Sequence, residues 1–204
     1  MRYLSSISLV LIVLMALACS SEPKPDLDGL LETADKYWVA SSYQADCENF
    51  IPVANEIIKH HRPREFSDHR IIYQRKFLCH QRLGQIEMAI ELASESIKRF
   101  HGSDRWWVQE RGDIYMRQGE FELALKDYDA GVDDFIADNG AKGEWLIRRG
   151  FAYKSLNEMG KAKFDFAEAC RIRTLFGFVH IVFKNINPCD LDAMKNSPPP
   201  EWLR

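Results

Sequence analysis

The chain has 204 residues, a formal net charge of −3 and 46% hydrophobic residues. That balance leaves no basic block for nucleic acid or for a membrane surface held by charge alone. Beyond its leader the chain is long enough for one domain with a continuous core. In chain order, Met1-Arg2 gives a short positive start, and Ile7 to Ala18 is almost entirely apolar. Cys19 follows at once, then Ser20-Ser21-Glu22-Pro23-Lys24-Pro25. An apolar run this short, ending in small residues, predicts a signal peptide over residues 1–18 in preference to an uncleaved anchor.

Ala16-Leu17-Ala18-Cys19 resembles the lipobox of bacterial lipoproteins, with Ala16 where Leu is usual. The resemblance implies that Cys19 is acylated and becomes the mature N-terminus. It also implies that Ser20, directly after it, sends the protein to the outer membrane, facing the periplasm. Several acyl chains on one residue hold firmly, since each buried methylene adds about 0.8 kcal/mol. Residues 19–27, with two prolines, then form a tether between lipid and folded domain.

Residues 28–64 predict a helical hairpin, either a degenerate repeat or, since it lacks the turn glycine, a plain hairpin. Leu30, Leu31, Ala34, Tyr37 and Trp38 make one apolar helical stripe; Phe50, Val53, Ala54, Ile57 and Ile58 make another. Arg62-Pro63-Arg64 ends it. Four cysteines remain after Cys19: Cys47, Cys79, Cys170 and Cys189. An even remainder fits disulfides in an oxidising compartment. Pairing Cys47 with Cys79 and Cys170 with Cys189 joins neighbouring elements and is favoured among the three connectivities; four buried thiols are the alternative.

From Arg70 a phrase recurs. Gly112, Tyr115, Gly119, Ala124 and Tyr128 are echoed by Gly150, Tyr153, Ala162 and Phe166, and more faintly by Tyr73, Leu83-Gly84, Ala89 and Ala93, with Phe77 in place of the close-packing glycine. These residues resemble the tetratricopeptide repeat, a helical hairpin of 34 residues. Three units are expected at about 70–103, 105–138 and 143–176, with an extra turn at Asp138-Asn139-Gly140. The fold implied is all-α, a tetratricopeptide-like solenoid of helical hairpins closed by a C-terminal capping element over 176–204. Phe176 to Phe183 reads as the capping helix that shields the last hydrophobic face, or as a strand, since Phe, Val and Ile favour one. Asn187-Pro188 predicts a helix start running through Met194, and Asn196 to Pro200 an extended proline tail.

Where the repeat usually has Leu before its close-packing glycine, this chain has Arg111 and Arg149. Sixteen residues later stand Asp127 and Asp165. The recurring pairs predict an internal Arg–Asp bridge in each hairpin, in preference to anion binding by the arginines. The inner face of the first helices predicts a partner-binding groove of Gln74, Gln81, Trp106, Gln109, Asp113, Met116, Arg117, Ile147, Phe151 and Lys154. That mix of aromatic, amide and single charges suits a protein segment, with Trp106 its foremost contact; packing of Trp106 or Trp107 against the preceding unit is the alternative.

Catalysis finds little support. The six histidines are scattered, with no pair four apart on a helix as a zinc-hydrolase motif needs. Asp133-Asp134 with Asp138-Asn139-Gly140 resembles a calcium loop only in outline, because Phe135 and Ala137 fall where oxygen ligands belong. No phosphate loop, dinucleotide fingerprint or nucleophile elbow is present. No enzyme activity, cofactor or metal is therefore expected. The resemblance implies an outer-membrane-anchored adaptor that gathers envelope proteins or peptide segments and contacts the membrane through its lipid. The alternatives are a pilotin-like chaperone for a secretion or pilus component, or an envelope enzyme or enzyme regulator.

Overall fold

The computed structural model describes residues 26–38, 46–60, 66–100, 104–133, 139–176 and 186–203. The signal peptide, Cys19 and its tether lie outside these residues. So do Arg62-Pro63-Arg64, Asp134 to Asp138 and most of the expected capping stretch. All regular structure among the described residues is helical. The helices are α1 (Leu27–Tyr37), α2 (Cys47–His60), α3 (Phe66–Arg82), α4 (Ile86–Arg99), α5 (Arg105–Gln118), α6 (Phe121–Asp133), α7 (Asn139–Ser155), α8 (Met159–Phe176) and α9 (Leu191–Asn196). A 3-10 turn, Glu201–Leu203, follows.

The chain falls into two compact units that divide within α3, one ending at Cys79 and the other beginning at His80. Each has its own buried cluster. In the first unit Asp26 caps α1 by accepting a hydrogen bond from the Gly29 amide. The α1 and α2 stripes close on Ala34, Phe50, Ala54 and Ile57, together with Ile72 of α3. Cys47 at the start of α2 is bonded to Cys79 on α3. Arg75 lies over the Trp38 ring and pairs with Asp35, which fixes the end of α1.

The turns of the second unit pass through residues with positive φ: Gly84 after α3, Gly119 between α5 and α6, and Asn157 between α7 and α8. At Gly119 (φ 79°) the backbone passes into the left-handed region and two orphan carbonyls are satisfied, Met116 by the Gly119 amide and Tyr115 by the Glu120 amide. Asn157 does the same work in the third hairpin, because Asn tolerates this conformation better than most residues. Close packing explains Gly112 and Gly150. A Cβ on Gly112 would stand 2.7 Å from the Tyr128 ring, and one on Gly150 2.5 Å from the Phe166 ring.

Two boundaries differ from the sequence reading. The third unit begins at Asn139, so Asn139-Gly140 opens α7 and the extra residues lengthen a helix. The last helix begins at Leu191, not at Pro188. Asn187 to Cys189 forms a turn, and Asp190 is the cap, accepting from the Ala193 amide at 2.9 Å.

Candidate functional site

The α5–α6 and α7–α8 hairpins are each locked by an arginine on the first helix. Arg111 donates through Nε and Nη2 to the two oxygens of Asp127, at 2.9 and 2.6 Å. Arg149 does the same to Asp165, both bonds at 2.8 Å. The remaining nitrogen reaches back to the preceding hairpin: Arg111 to Ser94 Oγ at 2.8 Å, Arg149 to Asp129 Oδ1 at 2.9 Å. Ser94 and Asp129 are separated by the same interval as Gly84 and Gly119, so the contact between successive hairpins repeats as faithfully as the bridge within them. The bond from Asp127 raises the Arg111 guanidinium above its ordinary value. Burial works against the charge of Arg149, but its two carboxylate partners outweigh that and raise it. These cations are spent on structure.

Between α5 and α7 a second set of charges is buried deeper. Asp113 on α5 accepts a hydrogen bond from the Tyr128 hydroxyl at 2.7 Å and from Arg148 Nε of α7 at 3.1 Å. Both ends of this ion pair are almost wholly out of solvent. Burial pushes the Asp113 carboxyl up, and Arg148 opposes the rise. One turn earlier on α5, Glu110 is raised to about 7 by burial and then by Asp113, with Arg148, Arg117 and Gln81 pulling the other way. Sequence reading missed Glu110 and Arg148, since neither recurs in the repeat pattern.

The groove above these charges is not open. Residues 186–203 lie along it as an arm. The Cys170–Cys189 disulfide fastens the arm to α8, and Arg173 donates to the Asn187 side chain at 3.2 Å. Helix α9 packs on α8, and the Glu201–Leu203 turn packs on α5. Lys154 of α7 donates to the carbonyls of Met194 and Ser197, where α9 ends and a cation is favoured. Arg117 of α5 donates to the Trp202 carbonyl at 3.0 Å and to Gln81 Oε1 at 3.2 Å. The Arg148 guanidinium lies 4.7 Å from the centre of the Trp202 ring. Met194 and Leu203 enter the same buried cluster as Met116, Ile147 and Phe151.

The expected open groove is therefore corrected at four positions. Met116, Ile147 and Phe151 are at most 3% exposed, held in the core that the arm completes. Asp113 is committed to Tyr128 and Arg148. The proline stretch is no free tail, because it carries Trp202 and Leu203 back onto the repeats. Arg117 and Lys154 do face the groove, and Gln81 adjoins them through Arg117. Gln109 and Trp106 are half-buried, Trp106 edge-on to the fully buried Trp107 at 4.7 Å. Gln74 belongs to the other unit and is half-buried there.

Among the described residues no group of three or more His, Cys, Asp or Glu side chains is placed to hold a metal ion. None of their helices is long and apolar enough to cross a membrane. A shallow pocket of about 250 Å³ is lined by Arg149, Tyr153, Gly160, Lys161, Phe164 and Asp165, smaller than the usual site for a drug-sized ligand.

No protein-family profile matches the sequence, and no curated protein does. Among solved structures the chain is similar to a tetratricopeptide repeat protein from Parabacteroides merdae, with a TM-score of 0.62 and 17% identity. The match covers 83% of this chain and 58% of that one, so this chain spans under two thirds of its neighbour's length. Likeness at this identity is a likeness of fold. The chain has a tetratricopeptide-repeat-like, all-helical fold.

Proposed function

We propose that this protein is a binding adaptor, held by lipid at Cys19 to the periplasmic face of the outer membrane, that gathers envelope proteins by holding segments of them along the α5–α7 groove. The observation that carries the reading is the arm: the groove already seats a short peptide segment. It does so by general means, with two cations on main-chain carbonyls, one aromatic ring against a guanidinium and apolar side chains in pockets. Any chain that brings the same groups could use the same seat. The resemblance of Ala16-Leu17-Ala18-Cys19 to a lipobox supports the proposed location.

The test is a photo-crosslinking amino acid at Gln109, in cells. The reading expects a discrete adduct with a second envelope protein, and loss of that adduct when Cys19→Ala leaves the protein unanchored. Adducts formed only within the chain, under every growth condition, would overturn it.

A further inference from the structure

The arm has the features of a ligand more than those of a core element. Its two structured pieces are short, a six-residue helix and a three-residue turn, joined by Pro198-Pro199-Pro200. Two of its main-chain contacts come from side chains that reach over it from the surface, the exposed Arg117 and the half-buried Lys154. Beneath it Arg148, buried and paired with Asp113, turns its guanidinium to the Trp202 ring. Its covalent fastening is also at the surface. Cys189 is exposed, whereas Cys47 and Cys79 of the other disulfide are both buried.

We infer that residues 187–203 are a tethered competitor for the groove: a partner segment carrying an aromatic residue followed by a branched aliphatic one takes the place of Trp202-Leu203, and the Cys170–Cys189 disulfide sets how strongly the tethered copy resists. This rests on the reading of the groove as a protein-binding surface. The partner chemistry follows from the seat. Arg148 offers a cationic face to an aromatic ring, Arg117 takes the carbonyl of that same residue, and the cluster of Met116, Ile147 and Phe151 takes the aliphatic side chain. The disulfide closes a loop of sequence separation 19. In the chain-entropy model a closure of that size favours the docked arm by roughly a hundredfold. Part of this remains without the bond, because Arg173 still holds Asn187.

The experiment uses the full chain and a fluorescent synthetic peptide with the sequence of residues 190–204, read by anisotropy. The oxidised wild type should bind it weakly. The Cys170→Ser/Cys189→Ser chain should bind about tenfold tighter or more, and adding Arg117→Ala should remove most of that gain. A second variant, Trp202→Ala with both disulfides intact, loosens the tethered copy alone and should also admit the peptide. A peptide with both Trp202 and Leu203 replaced by Ala should bind neither variant. Equal binding by wild type and both variants would overturn the inference and make the arm a permanent part of the core. Peptide binding without any cellular adduct at Gln109 would sink the adaptor reading and leave the competitor standing; an adduct with equal peptide binding would do the reverse.

Discussion

Arg111 and Asp127 are unequal partners, and the inequality is measurable. Asp127 is 4% exposed, while the Arg111 side chain keeps about a fifth of its surface and a second partner in Ser94. Arg111→Ala leaves a buried carboxylate with no cation, a loss of about 3 kcal/mol. Asp127→Ala leaves a guanidinium that water can still reach, and should cost about 2 kcal/mol or less. Urea denaturation of the two variants gives the order directly; a larger loss for Asp127→Ala would contradict it. Glu110 makes a prediction in pH. Its value rises from 4.5 to about 7 on folding, through burial and then Asp113. The folded state therefore holds the proton more tightly, and this contribution is complete below pH 4.5 and lost as pH rises through 7. Glu110→Gln should match wild type in urea midpoint near pH 4. It should exceed wild type near pH 8, by on the order of 2 kcal/mol. A gain that is equal at both values would assign the effect to packing and not to charge.

At the scale of elements, what repeats was legible in the sequence and what occurs once was not. Gly112 and Gly150 each face a ring across the hairpin, Tyr128 and Phe166, so small and aromatic positions had to change together and could be read together. The Arg–Asp bridges were readable for the same reason, since both partners recur at one spacing. Asp113–Arg148 joins two hairpins at one place only and leaves no period. The arm was hidden differently. Its helix is six residues long, too short for a periodic signal, and its anchors sit behind three prolines that suggest a free tail. Yet the favoured pairing of Cys170 with Cys189 already required the chain to return to α8. The arm helix also depends on its cap. Asp190→Ala removes the carboxylate that accepts from the Ala193 amide, a loss of about 1 kcal/mol. With the disulfide still in place, amide exchange should quicken by roughly fivefold across residues 191–196 and stay unchanged in α5 and α7. Unchanged exchange in α9 would mean that Lys154 and the apolar contacts fix the helix without its cap.

For the molecule as a whole, the two disulfides serve two different ends. Cys170–Cys189 lies at the surface and pins an arm, whereas Cys47–Cys79 lies inside the cluster that holds the first unit together. Among the described residues its buried members beside the two cysteines are Ala34, Phe50, Ala54, Ile57 and Ile72. A bond buried inside such a cluster acts as a covalent staple for the helices that meet there. The bond spans a sequence separation of 32, for which chain entropy gives about 4 kcal/mol. The second unit has a cluster from Met116 through Leu203, and among the described residues none of its buried members is a cysteine. Replacing Cys47 and Cys79 by Ala should therefore act unevenly. Hydrogen exchange is expected to lose most of its protection in α1 and α2, while α5, α6, α7 and α8 keep theirs. Loss spread evenly over all these helices would show that the chain unfolds as one cooperative body and that the buried staple serves the whole of it.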